Sequence, residues 1–150
     1  MRDLYNWRNH SITILNSKNL KYVKLKKRAG HLKYALGKRI WLCAVKNGDT
    51  LWISGQLGHD SEGNLAVGME DQFIKTYENI KILLNNFDMN EDDIVEEVIY
   101  VTDMASAFQA RKKLGKSFYP DPQRVASSIV AVTELALPGQ MVEIKIVAKS

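Results

Sequence analysis

Four polar residues in the last quarter of the chain stand where an apolar strand would not want them. Arg124, Ser127 and Ser128 precede the run Ile129-Val130-Ala131-Val132, and Glu143 interrupts a second run between Val142 and Ile144. A carboxylate in that setting can accept hydrogen bonds and move a proton. The Ser127 and Ser128 hydroxyls, with nearby backbone amides, can hold a neutral or anionic small molecule, and a guanidinium selects carboxylates more strongly. No metal-binding pattern accompanies these groups. Cys43 is the single cysteine, and His10, His31 and His59 are scattered along the chain.

The two runs are strand-like and are joined through Pro138-Gly139. In the second, Val142, Ile144 and Ile146 point one way while Met141, Glu143, Lys145 and Val147 point the other. Glu143 therefore belongs to a mixed face, suited to a cleft wall between subunits. Upstream, Cys43-Ala44-Val45-Lys46 leads through Asn47-Gly48, a dipeptide that tolerates positive φ, into a return strand at Leu51-Trp52-Ile53-Ser54. Phe73, Tyr77, Ile80, Leu84 and Phe87 recur in steps of four and three, the spacing of one helix face, with Glu70 and Asp71 in the first turn. Ile94 to Thr102 is a strand candidate. A second helix is expected from about Ala105 to Phe118, facing inward through Ala107, Ala110, Leu114 and Phe118 and stopped by Pro120 and Pro122. The order β-β-α-β-α-β-β predicts an α+β single domain, a mixed sheet covered on one face by two helices. The uncovered face would serve as an oligomer interface.

Length and composition agree with one globular domain. The chain has 150 residues, 45% hydrophobic and 25% charged, enough to bury a core without a disulfide or metal staple. No run approaches the ~20 apolar residues of a membrane span. The first ten residues lack the apolar centre of a signal peptide. The expected location is the cytoplasm. The net charge of +4 hides an asymmetry: Lys18 to Arg39 holds nine basic and no acidic residues. Residues 1–40 are read as a basic extension, with a short strand at about Leu20 to Leu25, and 41–150 as the folded domain. Such a segment can meet nucleic acid phosphates, or can be a solvated edge that blocks sheet-to-sheet association.

Val45-Lys46-Asn47-Gly48-Asp49-Thr50-Leu51-Trp52-Ile53-Ser54-Gly55-Gln56 resembles the first signature of the Rid family, the reactive intermediate deaminases, also called the YjgF family. Gln72, Glu78-Asn79-Ile80 and Val98 to Asp103 match its helix and following strand. Leu135 to Ile144 is similar to its C-terminal signature, which ends Pro-Gly-x-x-Val-Glu-Ile. The likeness covers about Trp41 to Lys149. It implies a chorismate-mutase-like (YjgF-type) fold, a homotrimer with ligand clefts between subunits, and hydrolysis of reactive imines and enamines without metal or cofactor. It also implies site roles. Glu143 falls on the water-positioning glutamate, Trp41 on a cleft tyrosine and Ser54 on a cleft serine. Lys112, or the adjacent Arg111, stands where many active members have asparagine. Ser127 occupies the place of the carboxylate-binding arginine, and Arg124 lies three residues earlier, roughly 10 Å along extended chain. Three readings follow: an imine or enamine deaminase, a non-catalytic trimeric module that binds a small molecule, and, as the weaker alternative resting on the basic segment, RNA binding or cleavage.

Overall fold

A computed structural model of the chain describes residues 10–17, 20–27, 41–114, 117–118 and 121–150. Its elements are β1 (His10–Ser17), β2 (Leu20–Lys27), β3 (Trp41–Asn47), β4 (Thr50–Gln56), α1 (Met69–Asn85), β5 (Ile94–Val101), α2 (Met104–Leu114), β6 (Ala126–Ala131) and β7 (Val142–Lys149). The five strands and two helices expected from the sequence are present in the expected order, and two further strands precede them. Residues Lys18, Arg28, Lys33, Lys38 and Arg39 of the basic segment lie outside the described residues.

The seven strands among the described residues form one sheet in the order β1-β2-β3-β4-β7-β5-β6. Of these strands only β5 and β6 run parallel, because α2 carries the chain back between them as a crossover. The other pairings are antiparallel. The β3–β4 turn is centred one residue later than the Asn47-Gly48 expectation. Asn47 is still paired with Thr50, so Gly48 and Asp49 form the loop, and Gly48 takes the positive φ of 58° that a tight hairpin demands.

β7 is flanked by β4 and β5 and alternates strictly. Val142, Ile144, Ile146 and Ala148 are fully buried, as are Leu51 and Ile53 on β4 and Val101 on β5. They pack against Phe73, Tyr77, Ile80 and Leu84 of α1, the periodic stripe expected from the sequence. The second helix ends at Leu114, earlier than Phe118. Ala107 and Ala110 face the core, while Phe118 packs from beyond the helix by stacking on Tyr77 at 4.2 Å between ring centres. Asp103 caps α2 by accepting from the Ala105 and Ser106 amides. The Ser106 hydroxyl, then those two amides, keep its carboxyl below the usual carboxylate range. Among the described residues, no helix is long and apolar enough to cross a membrane.

Gly58 lets the loop after β4 lie directly on α1. A Cβ there would stand 2.4 Å from the Gln72 carbonyl oxygen and 2.7 Å from its Cα, and helix backbone cannot move aside cheaply. Gly58→Ala is expected to destabilise the fold by about 1–3 kcal/mol, read as a lowered midpoint in urea unfolding with an unchanged slope.

Candidate functional site

The face of the sheet opposite the helices carries Glu143. Its cross-strand partner on β5 is Tyr100, and on the same face Trp52, opposite Val147, and Val130, opposite Tyr100, are each 42% exposed. Beside Glu143, the β4–β7 ladder breaks register. Ile53 pairs with Ile146 and Gln56 with Ile144, so Ser54 and Gly55 together oppose Lys145. This is a bulge, two residues against one. The Glu143 side chain lies across Gly55. A Cβ at Gly55 would sit 1.8 Å from Glu143 Oε1 and 2.6 Å from its carboxyl carbon. Gly55 is needed for space, since its φ is not positive.

Several buried amides hold this corner. Gln140 Nε2 donates to Glu143 Oε2 at 3.1 Å. Gln56 Nε2 donates to the Ser54 and Gly55 carbonyls at 2.9 and 3.2 Å, which fixes the bulge. Gln72 on α1 donates to the Gly139 carbonyl at 2.8 Å and accepts from the Met141 amide at 2.8 Å. It thereby ties the Pro-Gly turn to the helix. Gln56, Gln72 and Gln140 are all buried, so each unmade bond would cost on the order of 1–3 kcal/mol.

A second polar cluster lies on the helix side. The Glu97 side chain is fully buried, sharing a face with Ile99 and Val101. Arg111 Nη1 reaches Glu97 Oε1 at 3.0 Å and also donates to the Tyr77 hydroxyl. That hydroxyl donates in turn to Glu97 Oε2 at 3.0 Å. Burial, then the nearby Glu97 charge, pushes the Tyr77 phenol far above its ordinary range, so Tyr77 stays a neutral donor. Ser127 Oγ completes the cluster by donating to Glu97 Oε1 at 2.6 Å.

The fold therefore separates the candidates read from the sequence. Glu143 and Ser54 are on the open face, with Ser54 Oγ donating to the Cys43 carbonyl at 3.1 Å. Ser128, paired with Val98, shares that face. Ser127 is on the other side, bound to Glu97. Lys112 is exposed on α2, beside the inward-turned Arg111, and Arg124 is exposed in the short 3-10 turn Pro122–Arg124 before β6. Trp41 opens β3 opposite Leu25, and its side chain is outside the described residues. Glu97, Gln140 and Gly55 shape the site without having been expected to from the sequence. Glu97 carried a signal, since it alternates with Ile99 and Val101 and so points inward. Among the described residues, no three His, Cys, Asp or Glu side chains gather as a metal site.

Residues 38–150 match the family model described as Endoribonuclease L-PSP, whose members are also called the YjgF, RutC or Rid family. The chain belongs to this family. A RutC family protein of Aquifex aeolicus is 34% identical over 110 residues, covering 70% of this chain and 84% of the relative. The crystal structure of RidA from the Antarctic bacterium Psychrobacter is similar at 31% identity and a TM-score of 0.67, covering 80% of this chain and 94% of that one. A Mycobacterium tuberculosis member shows the same fold at 24% identity and a TM-score of 0.66, covering 93% of this chain and all of that one.

Within this YjgF-type domain the Glu97 cluster predicts a graded stability response. Arg111→Met leaves a buried carboxylate without its cation and is expected to cost about 3–5 kcal/mol. Ser127→Ala removes one hydrogen bond to a charge and is expected to cost about 1.5–3 kcal/mol. Denaturant unfolding of both variants measures the order.

Proposed function

We propose that the protein hydrolyses a small, carboxylate-bearing imine or enamine, with Glu143 positioning the attacking water. The observation that carries this reading is the Glu143 carboxylate itself. It is half-buried on the open sheet face, held through one oxygen by the neutral Gln140 amide and cradled over Gly55. A single hydrogen-bond donor gives the carboxylate a defined direction, as a positioned proton acceptor requires.

In the proposed step, water adds to the imine carbon as Glu143 takes one of its protons. The resulting carbinolamine then loses the C–N bond. Both water protons end on nitrogen, the first returned by Glu143 and the second given up by the hydroxyl as the C=O forms, so that ammonia leaves and the carbonyl product remains. Imine and water thus go to carbonyl compound and ammonia with nothing oxidised or reduced. Ser54 and Ser128 line the same face as candidate substrate contacts, and Trp41, Lys112 and Arg124 are proposed to approach as the cleft is completed. A second subunit supplies that completion in this proposal. The exposed Trp52 and Val130 form an apolar surface for it within a homotrimer. A cytoplasmic location is proposed on cysteine usage, since Cys43 is the single cysteine of the sequence and is buried.

A second reading, a module that binds a small metabolite without turning it over, is favoured by one observation. Ser127, at the place of the carboxylate-binding arginine, spends its hydroxyl on Glu97 and brings no cation to Glu143.

The test follows the decay of 2-aminoacrylate-type imines. Wild-type protein is expected to accelerate loss of the imine and release of ammonia. Glu143→Gln should lower that rate on the order of 10²-fold or more. Gly55→Ala should fold, because the carboxylate can swing aside, yet should lose about 10²-fold through misplacement. Imine decay at the buffer rate would refute the enzyme reading. A metabolite, such as a 2-oxo acid, that raises the melting temperature in the same preparation would then favour the binding module.

A further inference from the structure

The proposed reaction depends on where the Glu143 carboxylate points, and we infer that Gln140 is the positioning residue that points it. The inference rests on the reading of Glu143 given above. Gln140 is 4% exposed and its amide is used at both ends. Its Oε1 accepts from the Leu137 backbone amide at 3.2 Å. Its Nε2 donates to Glu143 Oε2 at 3.1 Å and, at the longer distance of 3.4 Å, to the Val142 carbonyl. The amide cannot be turned over. The reversed group would set its NH2 against the Leu137 N–H and its carbonyl oxygen against a carboxylate. The donor end is therefore committed to Glu143.

The base of this clamp is rigid. Gly139 takes a φ of 81°, which lets the Gln140 backbone amide close the turn on the Leu137 carbonyl at 3.0 Å. Gln72 of α1 grips both neighbours of Gln140, through the Gly139 carbonyl and the Met141 amide. The position of Nε2 thus traces through two glutamines to the helix. With Oε2 taken by Gln140, Oε1 is the oxygen lying across Gly55, and it is the one offered to a water. A lysine or arginine in place of Gln140 would hold the carboxylate more strongly and also neutralise it. The amide orients it without adding a charge of its own. Gln140 touches neither water nor substrate in this scheme and acts through Glu143.

Two measurements test the inference. In 15N-correlated spectra, Glu143→Gln is expected to shift the Gln140 side-chain NH2 resonances while leaving those of Gln72 in place. Unmoved Gln140 resonances would overturn the clamp, whatever the enzyme does. In kinetics, Gln140→Leu is expected to lower kcat for imine hydrolysis about tenfold or more, with KM within about twofold. The same substitution made in Glu143→Gln protein should then cost nothing further. An equal loss in both backgrounds would mean a general scaffold role and would overturn the inference, as would wild-type kcat in Gln140→Leu. Should that variant fail to fold, Gln140→Met replaces it, and the spectral comparison needs no substitution at Gln140. A wild-type protein without hydrolase activity would defeat the proposed function and leave the spectra to decide the clamp.

Discussion

The alternation of β7 is the constraint on which the rest of this structure depends. The strand lies between β4 and β5, so its side chains serve two ladders and both faces of the sheet. Val142, Ile144, Ile146 and Ala148 fill the space beneath α1, each fully buried. Fully burying a valine or isoleucine contributes about 1.5–3 kcal/mol. A slip of one residue would turn all four out and send Glu143, Lys145 and Lys149 into the core. The core therefore fixes the register, and the register fixes that Glu143 faces away from the helices. The site inherits its geometry from apolar packing on the opposite side of the same strand.

The sheet separates two carboxylates into different chemistries. Glu97 is fully buried and surrounded by a guanidinium, a phenol and the Ser127 hydroxyl. A charge so enclosed is neutralised where it stands and ties α1, α2 and β6 together. Glu143 is half-buried, bound by an amide, and faces the open side. Reactivity suits the second group and cohesion the first. This division also gives a physical reason why a serine is comfortable at position 127. Arg111 already supplies the cation to Glu97, and the hydroxyl satisfies a remaining lone pair on Oε1.

Much of this was legible in the sequence, for reasons that can be named. The stripe from Phe73 to Phe87 has helical period, and β7 alternates with period two, so both elements and their buried faces follow from spacing alone. The Pro-Gly turn and the residues around Glu143 marked the start of β7. Other features needed coordinates. That β6 lies parallel to β5, opposite Glu97, depends on a crossover whose register no local pattern sets, so the side on which Ser127 falls could not be read. Gly55 gives no local sign of its role, which is to leave room for a side chain 88 positions away along the chain. Gln140 looked like an ordinary turn residue, since nothing in its neighbours announces a buried amide. β1 could not be read from the sequence because the N-terminal stretch shows only weak periodicity, and its ladder with β2, which pairs in turn with β3, supplies the order.

The most direct test of the account is a crystal structure of the assembled protein with a 2-oxo acid, the product type of the proposed reaction. The account predicts the carbonyl carbon on the open face, within about 3–4 Å of Glu143 Oε1 or of one water bound to it, with Gln140 still on Oε2. A 2-oxo acid seated instead on the helix side, against Arg111 and Ser127, would contradict it.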